Sequence, residues 1–111
     1  MTRNATANIM TIDVEDWFHI LEVEGGYTRE DWPSLEARVE ANTEVLLQLL
    51  SNSGATATFF VVGWVAAQQR ELIRRISNAG HELASHSFWH EVTDRHTRES
   101  LARDLSASKK F

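Results

Sequence analysis

Apolar residues along the chain fall into short β-rich runs separated by amphipathic stretches of helical period. Residues Ala7 to Ile12 (ANIMTI) are apolar and β-branched enough for a short buried strand that ends at Asp13. A polar, aromatic loop follows from Val14 to Trp32, with a turn signal at Gly25-Gly26. Pro33-Ser34 then opens a helix with Ser34 as its N-cap. Leu35, Val39, Leu46 and Leu50 recur along it at helical spacing, Leu47 and Leu49 widen the stripe, and Asn52-Ser53-Gly54 ends it. The continuous run Ala57 to Val62 predicts a strand covered on both faces. A helix from about Arg70 to Ala79 presents Leu72, Ile73 and Ile76, and Gly80 sits where a left-handed cap belongs. His81 to Ser85 predicts a third short strand, and Thr97 to Lys110 a last helix on the strength of Leu101 and Leu105.

The order β-loop-α-β-α-β-α implies an α/β fold with parallel strands and right-handed crossovers. Three strands would leave raw sheet edges and half-covered helices, as part of a larger barrel would. An exposed β-edge also makes self-association an expected property.

Composition narrows the function classes. The chain has 111 residues, 42% hydrophobic and 24% charged, the profile of one small globular domain, with no repeat or low-complexity tract. Its formal net charge is -5, and no Lys/Arg cluster interleaves with aromatics, so no nucleic-acid partner is expected. With no cysteine, disulfides and thiolate chemistry are excluded, and any metal must take oxygen and imidazole ligands. The opening MTRNATANIM has no apolar core of signal-peptide length, and no window reaches the ~18 apolar residues of a membrane span. A cytoplasmic location without a membrane span is the resulting expectation.

Candidate chemistry lies just past two predicted strands, at the rim where parallel α/β folds bind ligands. Asp13-Val14-Glu15-Asp16 places three carboxylates within four positions, which costs free energy unless a cation or a retained proton compensates. A solvated acidic loop or a helix cap is the structural alternative. His86-Ser87-Phe88-Trp89-His90 carries two histidines four apart, which on a helical turn would set their Cβ atoms about 5–6 Å apart on one face. A bare HxxxH pair is weak evidence of a site, but two histidines and a carboxylate form a standard set for a divalent ion that keeps positions open. Of the other histidines, His81 reads as structural or surface-lying, His19 as a partly buried loop residue in preference to one that reaches the site, and His96 as solvated. Trp89, beside the histidine pair, is the aromatic most suited to walling a substrate.

The segments Ala57 to Trp64, Glu71 to Ile76 and Gly80 to His90 together resemble the polysaccharide deacetylases, metal-dependent carbohydrate esterases. The opening Thr11 to Phe18 resembles the branch found with bacterial exopolysaccharide synthesis genes. The resemblance implies a partial (β/α) barrel and hydrolysis of N-acetyl groups from amino sugars of a polysaccharide or oligosaccharide. It implies Asp13 as catalytic base, His86 and His90 as ligands of a divalent ion, zinc foremost, and an acidic third ligand from the first motif. Where the family commonly has two adjacent aspartates, this sequence offers Glu15 or Asp16; Asp16 is preferred because an aspartate is the usual third ligand. The family's later motifs do not occur in the residues after His90, so residues 1–111 are expected to form the N-terminal portion of one catalytic domain. An inactive fragment and an amidohydrolase acting on a small ureide are the alternatives.

Overall fold

The computed structural model describes residues 6–20 and 26–110. Strands β1 (Thr11–Val14), β2 (Thr58–Val61) and β3 (Glu82–Ser85) form a parallel sheet in the order β1-β2-β3. Helix α1 (Val39–Ser53) precedes β2, α2 (Gly63–Gln68) and α3 (Arg70–Asn78) connect β2 to β3, and α4 (Arg98–Ser108) follows β3. This is the partial α/β fold that the alternating pattern implies. No helix among the described residues is long and apolar enough to cross a membrane.

One face of the sheet is the core. Val14, Phe59 and Val61 pack against Val39 and Leu50 of α1, Val65 and Ala66 of α2, and Leu72 and Ile76 of α3. The run expected to be covered on both faces is covered on one. Phe59 and Val61 are buried while Thr58 and Phe60 are half-buried, because the core residues of α1, α2 and α3 pack on the Phe59–Val61 side of β2. β1 and β3 each pair only with β2 among the described residues, so both are edges there.

Several details differ from the expected pattern. β1 begins and ends two or more residues later than its apolar run, and Asp13 is paired inside it, opposite Phe60. Ser34 caps no α-helix: Trp32–Ser34 is a single 3-10 turn, and α1 starts at Val39. The short α2 was not expected, since six residues of mixed character carry little periodicity. In α4 the inward residues are Asp104 and Ser108, whereas Leu105 is 43% exposed. Gly54 and Gly80 do end their helices with positive φ (69° and 90°), and Thr97 caps α4 by accepting from the Ser100 N–H. Of the predicted Gly25-Gly26 turn, Gly25 lies outside the described residues.

Candidate metal centre

Strand alternation decides which acidic side chains face the site. In β1 the residue Val14 points into the core, so Asp13 and Glu15 share the opposite face. Asp13 lies level with Phe60 and Ala84, and two residues further along the outer strands are Glu15 and His86. The ladder continues past β3, with the His86 N–H donating to the Val61 carbonyl at 3.0 Å. Glu15 and His86 therefore emerge on one side of the sheet at its carboxyl rim.

His90 reaches the same point by a tight loop. The histidines are not on a helical turn, as their spacing suggested; Ser87 and His90 both have φ of 56°, in the left-handed region. The His90 N–H donates to Ser87 Oγ at 2.8 Å. The Gly63 and Trp64 N–H groups donate to the carbonyls of Ser87 (2.8 Å) and Phe88 (3.0 Å), docking the loop on the start of α2. A Cβ on Gly63 would lie 2.9 Å from Phe88 Cα, so only glycine allows this approach.

The outcome is a cluster of Glu15, His86 and His90 whose donor atoms all lie within 4.8 Å of one another. His90 Nε2 is 3.1 Å from His86 Nε2 and 3.2 Å from Glu15 Oε2, and His86 Nε2 is 3.9 Å from Glu15 Oε1. Donors at 2.0–2.2 Å from one tetrahedral ion would stand roughly 3.4 Å apart, so the spacing fits a shared cation. The proton positions fit it too. His90 Nδ1 is 2.8 Å from the His19 carbonyl, which can only accept, so Nδ1 carries the proton and Nε2 turns a lone pair on Glu15 and His86. Asp13 stands beside the cluster, half-exposed, with Oδ2 3.9 Å from His86 Nε2.

Asp16 does not join the cluster, contrary to the preference for it as the acidic ligand. Its extended backbone (φ -97°, ψ 168°) continues the alternation and returns the side chain to the Val14 side, where it is 5% exposed. There Oδ1 accepts from the Trp17 N–H (3.0 Å), and the two oxygens accept from the Arg38 (3.0 and 3.2 Å) and Val39 (3.2 Å) N–H groups. Asp16 thus ties the end of β1 to the start of α1. The Asp16 N–H donates in turn to His19 Nδ1 at 2.8 Å, closing a capping box around the 3-10 turn Trp17–His19.

His19 sits at the hinge of this arrangement, fully buried among Phe18, Trp32 and Trp64. Burial above all, helped by repulsion from His90 and opposed by Asp16, lowers its pKa from 6.5 to about 4. It is neutral near pH 7, with its proton on Nε2, which has no hydrogen-bond partner among the described residues and is set edge-on to Trp32 at 4.4 Å between ring centres. Of its two readings His81 takes the structural one, its Nδ1 accepting the Ala57 N–H at 3.1 Å. His96 is not solvated: its side chain is 6% exposed, 3.0 Å from Ser100 Oγ and 3.6 Å from Glu91. Trp89 flanks the centre with the Arg29 guanidinium 4.3 Å above its ring, and Arg29 is ion-paired with Glu91.

Fold and site together describe a parallel α/β chain with an imidazole–carboxylate cluster at the carboxyl rim of its sheet. The chain belongs to the polysaccharide deacetylase family, whose sequence profile matches residues 26–111. It is 32% identical over 69 residues to a peptidoglycan-N-acetylglucosamine deacetylase of Bacillus cereus, covering 62% of this chain and 32% of that protein. It is 46% identical over 48 residues to a chitooligosaccharide deacetylase of Bradyrhizobium sp., covering 43% of this chain and 22% of that one. Against these relatives the chain therefore aligns with a third of their length or less. Among solved structures, the peptidoglycan deacetylase PdaC of Bacillus subtilis superposes with a TM-score of 0.68 at 20% identity, over 92% of this chain and 40% of that one. A CE4-family pseudoenzyme of Bacillus anthracis superposes with a TM-score of 0.63 at 20% identity, over 92% of this chain and 28% of that one. The fold thus accommodates both an enzyme and a pseudoenzyme, and function has to be argued from the site.

Proposed function

We propose that this chain carries the cation-binding and base-bearing part of a hydrolase that removes N-acetyl groups from amino sugars of a polysaccharide. The observation that carries the reading is the convergence of Glu15, His86 and His90 on one point beside Asp13, on the scaffold of this family. Two imidazoles and one carboxylate suit zinc among the divalent ions and leave positions free for water and substrate. When bound, such a cation supplies Lewis acidity toward an acetamide carbonyl and a water of lowered pKa.

The protein's own groups do the rest. The His19 carbonyl keeps the His90 proton on Nδ1 and so frees Nε2 for the ion. Asp13 accepts the proton of the attacking water, a role its half-exposed position beside His86 allows. Trp89, next to His90 in the chain and with the Arg29 guanidinium over its ring, is the aromatic we assign to meet a sugar ring. The relatives named as peptidoglycan and chitooligosaccharide deacetylases support an N-acetylated glycan as substrate. The likeness of Thr11 to Phe18 to the exopolysaccharide branch makes an exopolysaccharide the first polymer to assay.

The test is acetate release from N-acetylated oligosaccharides by the full-length protein, with bound zinc measured in parallel. Glu15→Gln, His86→Ala and His90→Ala should each lose zinc and acetate release together. Asp13→Asn should keep zinc and lose turnover; loss of zinc as well would make Asp13 a ligand. Turnover of small cyclic ureides in place of acetylated sugars would replace the deacetylase reading with an amidohydrolase.

A further inference from the structure

We infer that Asp104, a residue of α4 remote from the cluster in sequence, is the positioning residue that holds the His86–His90 loop in its cation-binding shape. The inference rests on the cation reading above and adds a residue to it. Asp104 is 5% exposed, and its carboxylate points at the backbone between the two histidines. Oδ2 accepts from the Phe88 N–H at 2.9 Å and Oδ1 from the Trp89 N–H at 3.2 Å. A carboxylate is acceptor-only and has two oxygens, so it matches two successive N–H donors, which no neutral side chain of that length does.

The loop needs such a restraint. Ser87 and His90 both adopt a left-handed conformation that L residues rarely hold unless their surroundings enforce it. The enforcement comes from two sides. Carbonyls of Ser87 and Phe88 are taken by the N–H groups of Gly63 and Trp64, and the N–H groups of Phe88 and Trp89 by Asp104. Four backbone polar groups between the ligands are thereby held, and the two Nε2 atoms stand 3.1 Å apart. The simpler alternative is that Asp104 merely docks α4. A separate contact already does that: Ser108, one turn on, sits 2.5 Å from Ser85 Oγ and bonds the Leu105 carbonyl.

The experiment compares Asp104→Asn with Ser108→Ala in the full-length protein. Zinc affinity is read by competition with a chelator, and protection of the Phe88 and Trp89 amides by hydrogen exchange. Asp104→Asn should weaken zinc binding roughly tenfold or more, the usual scale for a lost outer partner. It should also speed exchange at those two amides, while Ser108→Ala leaves zinc affinity near wild type at a comparable loss of melting temperature. Unchanged affinity in Asp104→Asn, or equal weakening in Ser108→Ala, overturns the inference. If Asp104→Asn does not fold, Asp104→Glu, which displaces both oxygens by one methylene, takes its place under the same criterion. Should the wild-type protein bind no zinc, the cation reading itself fails. The clamp is then judged by exchange alone, and unchanged protection of the Phe88 and Trp89 amides in the variant overturns it.

Discussion

Exchanging the charges of Glu15 and Asp16 in turn separates two roles that adjacent carboxylates would otherwise confuse. Asp16→Asn leaves one acceptor oxygen where two now serve three backbone N–H donors, and turns an amide N–H₂ toward donors. At least one hydrogen bond to a charged acceptor is lost and one donor is stranded beside the buried Val39, each on the scale of 1–3 kcal/mol. The expected loss is therefore about 2–4 kcal/mol, a large share of the roughly 5–15 kcal/mol that holds a domain together. Its effect on zinc should stay within about tenfold, since it acts only through the turn that carries His19. Glu15→Gln should do the reverse. Its recorded ion pairs are with His86 and His90, and its side chain is 29% exposed, so stability should change by less than about 1 kcal/mol. Zinc affinity should fall beyond the hundredfold or so typical of an outer partner, because a ligand is gone. Urea denaturation gives the first quantity and chelator competition the second. A stable Asp16→Asn that has lost zinc, alongside a Glu15→Gln that keeps it, would refute the assignment.

Other consequences can be checked on the same protein. Gly63→Ala would push a methyl against Phe88 and should cost about 1–3 kcal/mol, with weaker zinc binding as the loop shifts, read by thermal melting and chelator competition. Ser34→Ala should change stability by no more than about 0.5 kcal/mol in urea denaturation, because Ser34 bonds only the Asp31 carbonyl and caps no α-helix. His19 has a folded pKa of about 4 against 6.5 unfolded, so the unfolded chain takes up its proton first as pH falls. Its stabilisation is complete above pH 6.5, declines as pH drops toward 4 and is level below that, a change of about 3 kcal/mol. Denaturation at pH 7 and pH 5 should show about 2 kcal/mol of this loss in the wild type, since pH 5 lies only part of the way to 4, and a smaller loss in His19→Asn.

Much of this architecture was legible in the residue pattern, and the misses share a cause. Long periodic segments such as α3 and the apolar β2 run announce themselves, because burial of a regular face needs a regular spacing. The rim position of the histidine pair follows from the end of β3 that the same pattern locates, whereas β1 runs one residue past Asp13. The faces of Glu15 and Asp16 are also legible: counting by twos from the buried Val14 puts Glu15 on the face of Asp13 and Asp16 on the other. The family's usual aspartate ligand points instead to Asp16, so the two criteria disagree at this position. Asp104 left no such trace, and His19 only that of a partly buried loop residue. Each is recognised only through the backbone groups it meets, Phe88 and Trp89 for one, His90 for the other, and those meetings are made by tertiary structure. A helix that buries Asp104 and Ser108 while exposing Leu105 inverts the hydrophobic pattern, and such inversions mark places where polar groups have specific partners.

The most direct test of the account is anomalous diffraction at the zinc edge from crystals of the zinc-loaded full-length protein. The account predicts a single strong peak at about 2.0–2.2 Å from Nε2 of His86, Nε2 of His90 and a carboxylate oxygen of Glu15, with Asp16 uncoordinated. A peak that has Asp16 in its shell, or a loaded protein with no peak between the two histidines, would contradict it.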